Sequence, residues 1–237
     1  MSRDEATMSL IEHLEELRRR LIVSLVAIIL GAIAGFILSR PVLEFLEAPL
    51  PAEFETLYFT GVGDAFSVRL KVAVFLGIAL AMPVVLFQVW RFVTPGLTGS
   101  ERRLVWPLLV VALGLFALGL GVGYVITPYA LNFLLSFAEP GRIEPLLTIG
   151  EYIGFITTLM LAFGLVMEFP VVLVALARVG LLSYRTIAAR RRWVILGIAI
   201  FAVLITPGGD PFSPSILAAV MYALFEASLL VIRFVRR

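Results

Sequence analysis

The chain has no cysteine, which excludes disulfides, thiolate metal sites and thiol nucleophiles. Its one histidine, His13, has no second imidazole or thiolate to complete a metal site, and no GxSxG motif offers it a serine partner. A membrane hydrolase is therefore not expected, nor any other enzyme, cofactor or metal. Charge is scarce too: 15% of the 237 residues are Asp, Glu, Lys or Arg, where about 25% is usual. The net charge of +2 gives no electrostatic footprint for nucleic acid. The N-terminus is acidic before it is basic and has no small-residue cleavage site, so no removed signal peptide is expected.

What the chain has in excess is apolar surface. With 61% hydrophobic residues and a mean hydropathy of +1.04 it reads as an all-α, polytopic membrane protein. Apolar runs at 21–38, 72–89, 104–126, 153–176, 193–205 and 216–232 predict six spans in a single integral membrane domain over residues 1–237. The first run, free of charge, nearly crosses a hydrocarbon core of roughly 30 Å. The fifth and sixth are short, about 20 and 25 Å of helix, and two short neighbours thin the bilayer or leave a recess. Residues 42–46 predict a short surface helix stopped by Pro49 and Pro51, and Pro83 predicts a kink in the second span. Gly114, Gly119, Gly121 and Gly123 give the third span small faces for close helix contact.

Charge position then sets the topology. Of the nineteen Lys and Arg, fifteen fall before the first run, between the second and third, between the fourth and fifth, or in the tail. Only Arg40 and Arg142 lie in loops on the other side, with Arg69 and Lys71 at a span entrance. The positive-inside rule places both termini in the cytoplasm, and that parity requires the short fifth run to cross.

The stretch HLEELRRRL, residues 13–21, forms a collar at the membrane surface, with Glu12, Glu15 and Glu16 ahead of Arg18, Arg19 and Arg20. On a helix Glu16 is an i,i+4 partner of Arg20. Glu101, after Ser100, sits in the turn before the third span, where on generic grounds capping and the positive end of the helix account for it ahead of any function. Together Glu16 and Glu101 put two carboxylates amid arginines on one membrane face, which suits a ligand with paired guanidiniums. Phe92, beyond Arg91 in the loop, is placed to receive an apolar part of such a ligand. Trp90, Trp106 and Trp193 fall where an aromatic belt is expected. Glu168 is a carboxylate inside a span, functional by default. Glu226, within two turns of Arg233, is placed to snorkel to that arginine.

HLEELRRRL, EAPL in the first outer loop, FQVWRFVTPGLTGSERRL, FGLVMEFP and LITP, in this order, resemble the TatC family, the multi-span core subunits of the twin-arginine protein translocase. The resemblance covers nearly the whole chain. It implies six spans in a curved, glove-like bundle in the bacterial cytoplasmic (inner) membrane, with both termini cytoplasmic. It also implies binding of the twin-arginine signal peptides of folded precursors, with export driven by the proton-motive force. The implied signal-contacting residues are Glu16, Arg18, Phe92, Glu101 and Arg103; Glu168 matches the intramembrane glutamate and Pro49 the outer-loop proline. Glu15, Thr206, Asp210 and Glu226 are further candidates. The implied partners are the single-span subunits TatA and TatB around spans five and six, and further copies of the chain. The competing function is a small proton-coupled secondary transporter using Glu168, which predicts inverted repeats.

Overall fold

A computed structural model of the chain describes residues 10–51, 56–93, 105–138, 146–178, 180, 182–207 and 210–235. Among these, regular structure is helical, and one isolated bridge, Tyr58 to Thr148, ties two loops together. Helix α1 (Leu10–Ile37) fuses the collar to the first apolar run without a break, because no proline interrupts it before Pro41. Helix α2 (Ser39–Glu47) takes Pro41 in its first turn and ends before Pro49, as the sequence predicts. Helix α3 (Asp64–Val93) follows, with Pro83 inside it.

α1 runs antiparallel to α3 along a seam of small residues. A Cβ on Gly31 would lie 2.7 Å from the Gly77 carbonyl oxygen, and one on Gly77 would lie 2.7 Å from the Ala32 nitrogen. In lipid, where apolar side chains gain little by meeting one another, such backbone approach is what holds helices together. The same register carries Arg20 to Gln88 and His13 to Phe92. α4 (Val105–Leu135) and α5 (Ile149–Val166) repeat the device, with Gly119 against the Phe163 carbonyl and Gly123 against Met160. Thus two of the four predicted glycines make the contact; Gly114 and Gly121 face open space.

The fourth apolar run is two helices. α5 stops at Val166, Met167 and Glu168 form a turn, and α6 (Phe169–Arg178) resumes. Pro170 causes the break, since it has no N–H to offer the Val166 carbonyl. A short α7 (Tyr184–Ala189), capped by Ser183, leads to α8 (Arg191–Ile205) and α9 (Phe212–Val235). Among the described residues, five helical stretches are long and apolar enough to cross a membrane: Ile11–Ile37, Asp64–Val93, Trp106–Leu135, Ile149–Arg178 and Phe212–Phe234. At 15 residues α8 reaches about 22 Å, so the predicted fifth run stays short. The sixth does not: α9 has 24 residues, about 36 Å, because Pro214 is accommodated in its first turn and Arg233 in its last.

The core has three parts. Val68, Val72, Phe75, Tyr152 and Ile156 pack near the face opposite the collar, called here the far face. Met82, Leu86, Trp90, Leu109, Phe116 and Val171 pack near the collar. Phe163, Leu173, Ile198, Leu217 and Phe225 join α5 and α6 to α8 and α9. At the far face two tyrosines take up the carbonyls that α2 leaves open at its end. Tyr152 Oη donates to the Leu46 carbonyl at 2.6 Å and Tyr124 Oη to the Phe45 carbonyl at 3.0 Å. Pro49 is half-buried in the turn that follows, closed by the Leu50 N–H donating to the Glu47 carbonyl at 2.9 Å. Burial, and after it the neighbouring Glu44 carboxylate, raises the pKa of Glu47 above the ordinary carboxylate range.

Candidate functional site

At the collar face a pocket of about 500 Å³ opens between α1 and α3, lined by Glu12, Glu15, Glu16, Arg20, Gln88 and Arg91 among others. Helical spacing turns Glu16 and Arg20 toward α3 and leaves Arg18 exposed on the other flank. Arg20 Nη2 lies 2.5 Å from Glu16 Oε1, the predicted i,i+4 pair, and Arg20 Nη1 donates to Gln88 Oε1 at 3.1 Å. Gln88 itself is buried, so the arginine is tethered to α3 by a fixed group. Because Arg20 is shared between two acceptors it meets Glu16 through one nitrogen, and Glu16 Oε2 is buried with no hydrogen-bond partner among the described residues. A carboxylate accepts about four hydrogen bonds. Glu16 is therefore far from saturated.

A separate apolar groove of about 350 Å³ has a lining that reaches from His13 and Phe92, the sequence neighbours of Glu12 and Arg91, past Trp90 and Val172 to Glu168. The His13 and Phe92 rings stack, centroids 4.4 Å apart at 16°, and form its mouth. Glu168 also lines a second apolar cavity of about 430 Å³, bounded by Phe169, Val194, Phe201 and Met221. It is buried, sits in the turn between α5 and α6, and its Oε1 has no hydrogen-bond partner among the described residues. The only carboxylate of both linings is thus held where two cavities meet, at a point where the backbone is not helical.

Residues 12–219 match the family model described as Sec-independent protein translocase protein (TatC). The chain belongs to the TatC family. It is 37% identical over 234 residues to the TatC protein of Carboxydothermus hydrogenoformans, spanning 98% of this chain and 96% of that one. It is 36% identical over 223 residues to the chloroplastic TATC of Arabidopsis thaliana, 94% of this chain and 65% of that longer protein. A crystal structure of the twin arginine translocase receptor TatC in DDM has the same fold, with a TM-score of 0.82 at 32% identity, covering 93% of this chain and 99% of that one. TatC relatives are named as components of a protein translocase, not as enzymes, and with its apolar helices this chain is a multi-pass membrane protein of that translocase family.

Against the TatC motifs, the structure brings Glu15 and Glu16 to one pocket and Phe92 and Glu168 to one groove. Arg18 does not line the pocket. Glu101 and Arg103 lie outside the described residues. Phe92 is not in a loop but in the last turn of α3, half-buried against His13. Trp90 is not a belt residue either: it is buried among Leu86, Leu109 and Phe116, while Trp106 and Trp193 are exposed. Glu226 pairs with Arg191 of α8 at 2.8 Å rather than with Arg233, because the antiparallel neighbour brings a guanidinium closer than its own helix does. Thr206 is buried and donates to the Ala202 carbonyl at 2.7 Å. Asp210, 4% exposed, caps α9 by accepting from the Ser213 N–H at 2.6 Å. Gln88 escaped sequence reading, although a lone amide inside an apolar run, one residue before its end, was a signal that something polar faces it.

Proposed function

We infer that the chain is the core receptor subunit of the twin-arginine translocase, binding twin-arginine signal peptides of folded precursors at the cytoplasmic face. The observation that carries this reading is the half-paired Glu16 carboxylate at a pocket on α1 and α3, with an apolar groove lined from the same ends of those two helices. A signal peptide offers the complement of both, guanidiniums followed by an apolar segment. Glu16 and Glu101 clamp the two arginines through planar, bidentate hydrogen bonds, with Glu15 beside them and Arg18 and Arg103 setting the local charge. Phe92 receives the apolar side chains next to the arginine pair, and the rest of the segment lies along the groove toward Glu168. The bundle then spans the bacterial inner membrane six times as a single domain, α8 being the fifth crossing, with both termini cytoplasmic. TatA and TatB dock around α8 and α9, where Thr206, Asp210 and Glu226 supply polar groups, further copies of the chain assemble alongside, and Pro49 shapes the outer surface. Export draws on the proton-motive force.

A proton-coupled transporter working through Glu168 is disfavoured by the linings on either side, which among the described residues offer a solute no polar side chain beyond His13, the Trp90 indole and Glu168 itself. The test is site-specific crosslinking from position 101 to a labelled twin-arginine peptide, with a twin-lysine peptide as control. Crosslinking to the first and not the second is expected, and Glu101→Ala is expected to abolish binding while the melting temperature holds. Equal capture of both peptides would overturn the assignment.

A further inference from the structure

Toward the far face α3 and α5 run parallel and enclose a third groove, of about 480 Å³, which the receptor reading does not use. Its walls are Leu70, Val74 and Leu161, its floor is Gly154, and its polar groups include Lys71 and Thr158. Leu70 and Val74 are 47% and 44% exposed, so the groove opens toward lipid. Lys71 lies about 10 Å along α3 from the start of the helix, directly before the apolar run 72–89, at the border of the hydrocarbon. Its side chain turns back toward the helix start, as helical geometry favours, and Nζ donates to the Gly150 carbonyl in the first turn of α5 at 2.8 Å.

That carbonyl does not neutralise the ammonium, and no carboxylate among the described residues forms an ion pair with it. Asp64, the acid of α3's first turn, feels the Lys71 charge but is held out of contact by its own loop, where Oδ2 accepts from the Thr60 and Gly61 N–H groups at 2.8 and 2.7 Å. A cation at this depth is costly without an anion, and the anion available at the border of a bilayer is the lipid phosphate. Gly154 keeps the floor open beside it: a Cβ there would stand 3.5 Å from Nζ. Among the described residues at the same end, the acids Glu44, Glu47, Asp64 and Glu151 outnumber the bases Arg40, Arg69 and Lys71. A zwitterionic headgroup fits that balance better than an anionic one.

We propose that the groove between α3 and α5 is a site for one phosphatidylethanolamine, its phosphate on Lys71, one acyl chain along Leu70, Val74 and Leu161, and its ammonium balanced by the acidic residues of the rim. The test reconstitutes the purified protein in vesicles of equimolar phosphatidylethanolamine and phosphatidylglycerol, extracts it gently, and counts retained lipids by native mass spectrometry. One retained phosphatidylethanolamine is expected. Lys71→Gln is expected to lower that retention about tenfold, the equivalent of one charge-assisted hydrogen bond, and Lys71→Arg to restore it, with melting in lipid-free detergent unchanged. Gly154→Ala, whose methyl meets Lys71 at ordinary contact distance, leaves every charge in place and is expected to reduce retention severalfold by raising the floor. Retention indifferent to both Lys71→Gln and Gly154→Ala would overturn the site, as would preference for phosphatidylglycerol. A photo-crosslinker at position 74 that captures a polypeptide in place of lipid would overturn it too.

Discussion

Replacing Gly31 by alanine adds one methyl group far from any charge and is expected to weaken the collar pocket. The new Cβ would stand 2.7 Å from the Gly77 carbonyl oxygen and 3.1 Å from its Cα, backbone atoms that cannot rotate away. Ordinary contact begins near 3.4 Å, so α1 must move off α3 by about 0.7 Å, and overpacking of this kind costs about 1–3 kcal/mol. Carried along a rigid helix to Arg20, eleven residues away, the same shift stretches the 3.1 Å bond to Gln88 beyond hydrogen-bonding range. Arg20, released, turns both its η nitrogens on Glu16 and competes with an incoming guanidinium. Two measurements check this. Thermal unfolding in detergent should fall by about 2–4 °C for each kcal/mol lost, and affinity for a twin-arginine peptide should drop severalfold. Gln88→Leu should reproduce the affinity loss, and adding Arg20→Gln to either variant should recover part of it. If Gly31→Ala lowers neither the melting temperature nor the peptide affinity, the collar does not depend on the glycine seam and the reasoning fails.

Tyr152→Phe removes the hydroxyl that bonds the Leu46 carbonyl at 2.6 Å and leaves that carbonyl unmet; a loss of about 1–3 kcal/mol is expected, read as faster deuterium exchange over α2. Arg191→Ala strands Glu226, whose Oε1 is already buried and unpartnered among the described residues; since the pair is half-exposed, a loss of about 1 kcal/mol is expected, and Arg191→Ala with Glu226→Gln should recover most of it. Glu47 supplies a pH dependence with a definite sign. Its carboxyl holds a proton more tightly in the folded protein than in the unfolded chain, so its contribution is full at acid pH and is lost as pH rises through the raised value. Melting temperature should therefore decline above the ordinary carboxylate range, and Glu47→Gln should flatten that decline; a slope unchanged in the variant would refute the assignment.

The apolar helices, the α2 helix and the Glu16–Arg20 pair were legible in the chain because each is local. Apolar runs, proline stops and i,i+4 spacing need no knowledge of neighbours. What escaped depends on antiparallel register. Sequence places Glu226 two turns from Arg233 but does not say that α8 arrives with Arg191. It marks Trp90 and Trp106 alike as boundary aromatics, yet the face each takes differs, so one is buried and the other exposed. Nothing in the sequence marks Tyr124 and Tyr152 as partners of α2, whose Phe45 and Leu46 carbonyls accept from their hydroxyls. Helix ends were underestimated wherever polar residues continue a helix past its apolar stretch, as at the end of α3, where Phe92 gains its partner His13. The carboxylates at the pocket were named from their motifs, but the amide that holds Arg20 between them and α3 was not.

The interruption at Met167 and Glu168 has a mechanical consequence. Because Pro170 leaves the Val166 carbonyl without its helical donor, the hydrogen-bond ladder is severed there before any load is applied. What remains across the turn is a thin link, the Glu168 N–H donating to the Leu165 carbonyl of α5 at 3.1 Å and the Val172 N–H of α6 donating to the Glu168 carbonyl at 3.1 Å. The acid sits at the pivot, with one hollow on each side. An altered angle between α5 and α6 must therefore reshape both hollows together, because Glu168 and Val172 line each of them.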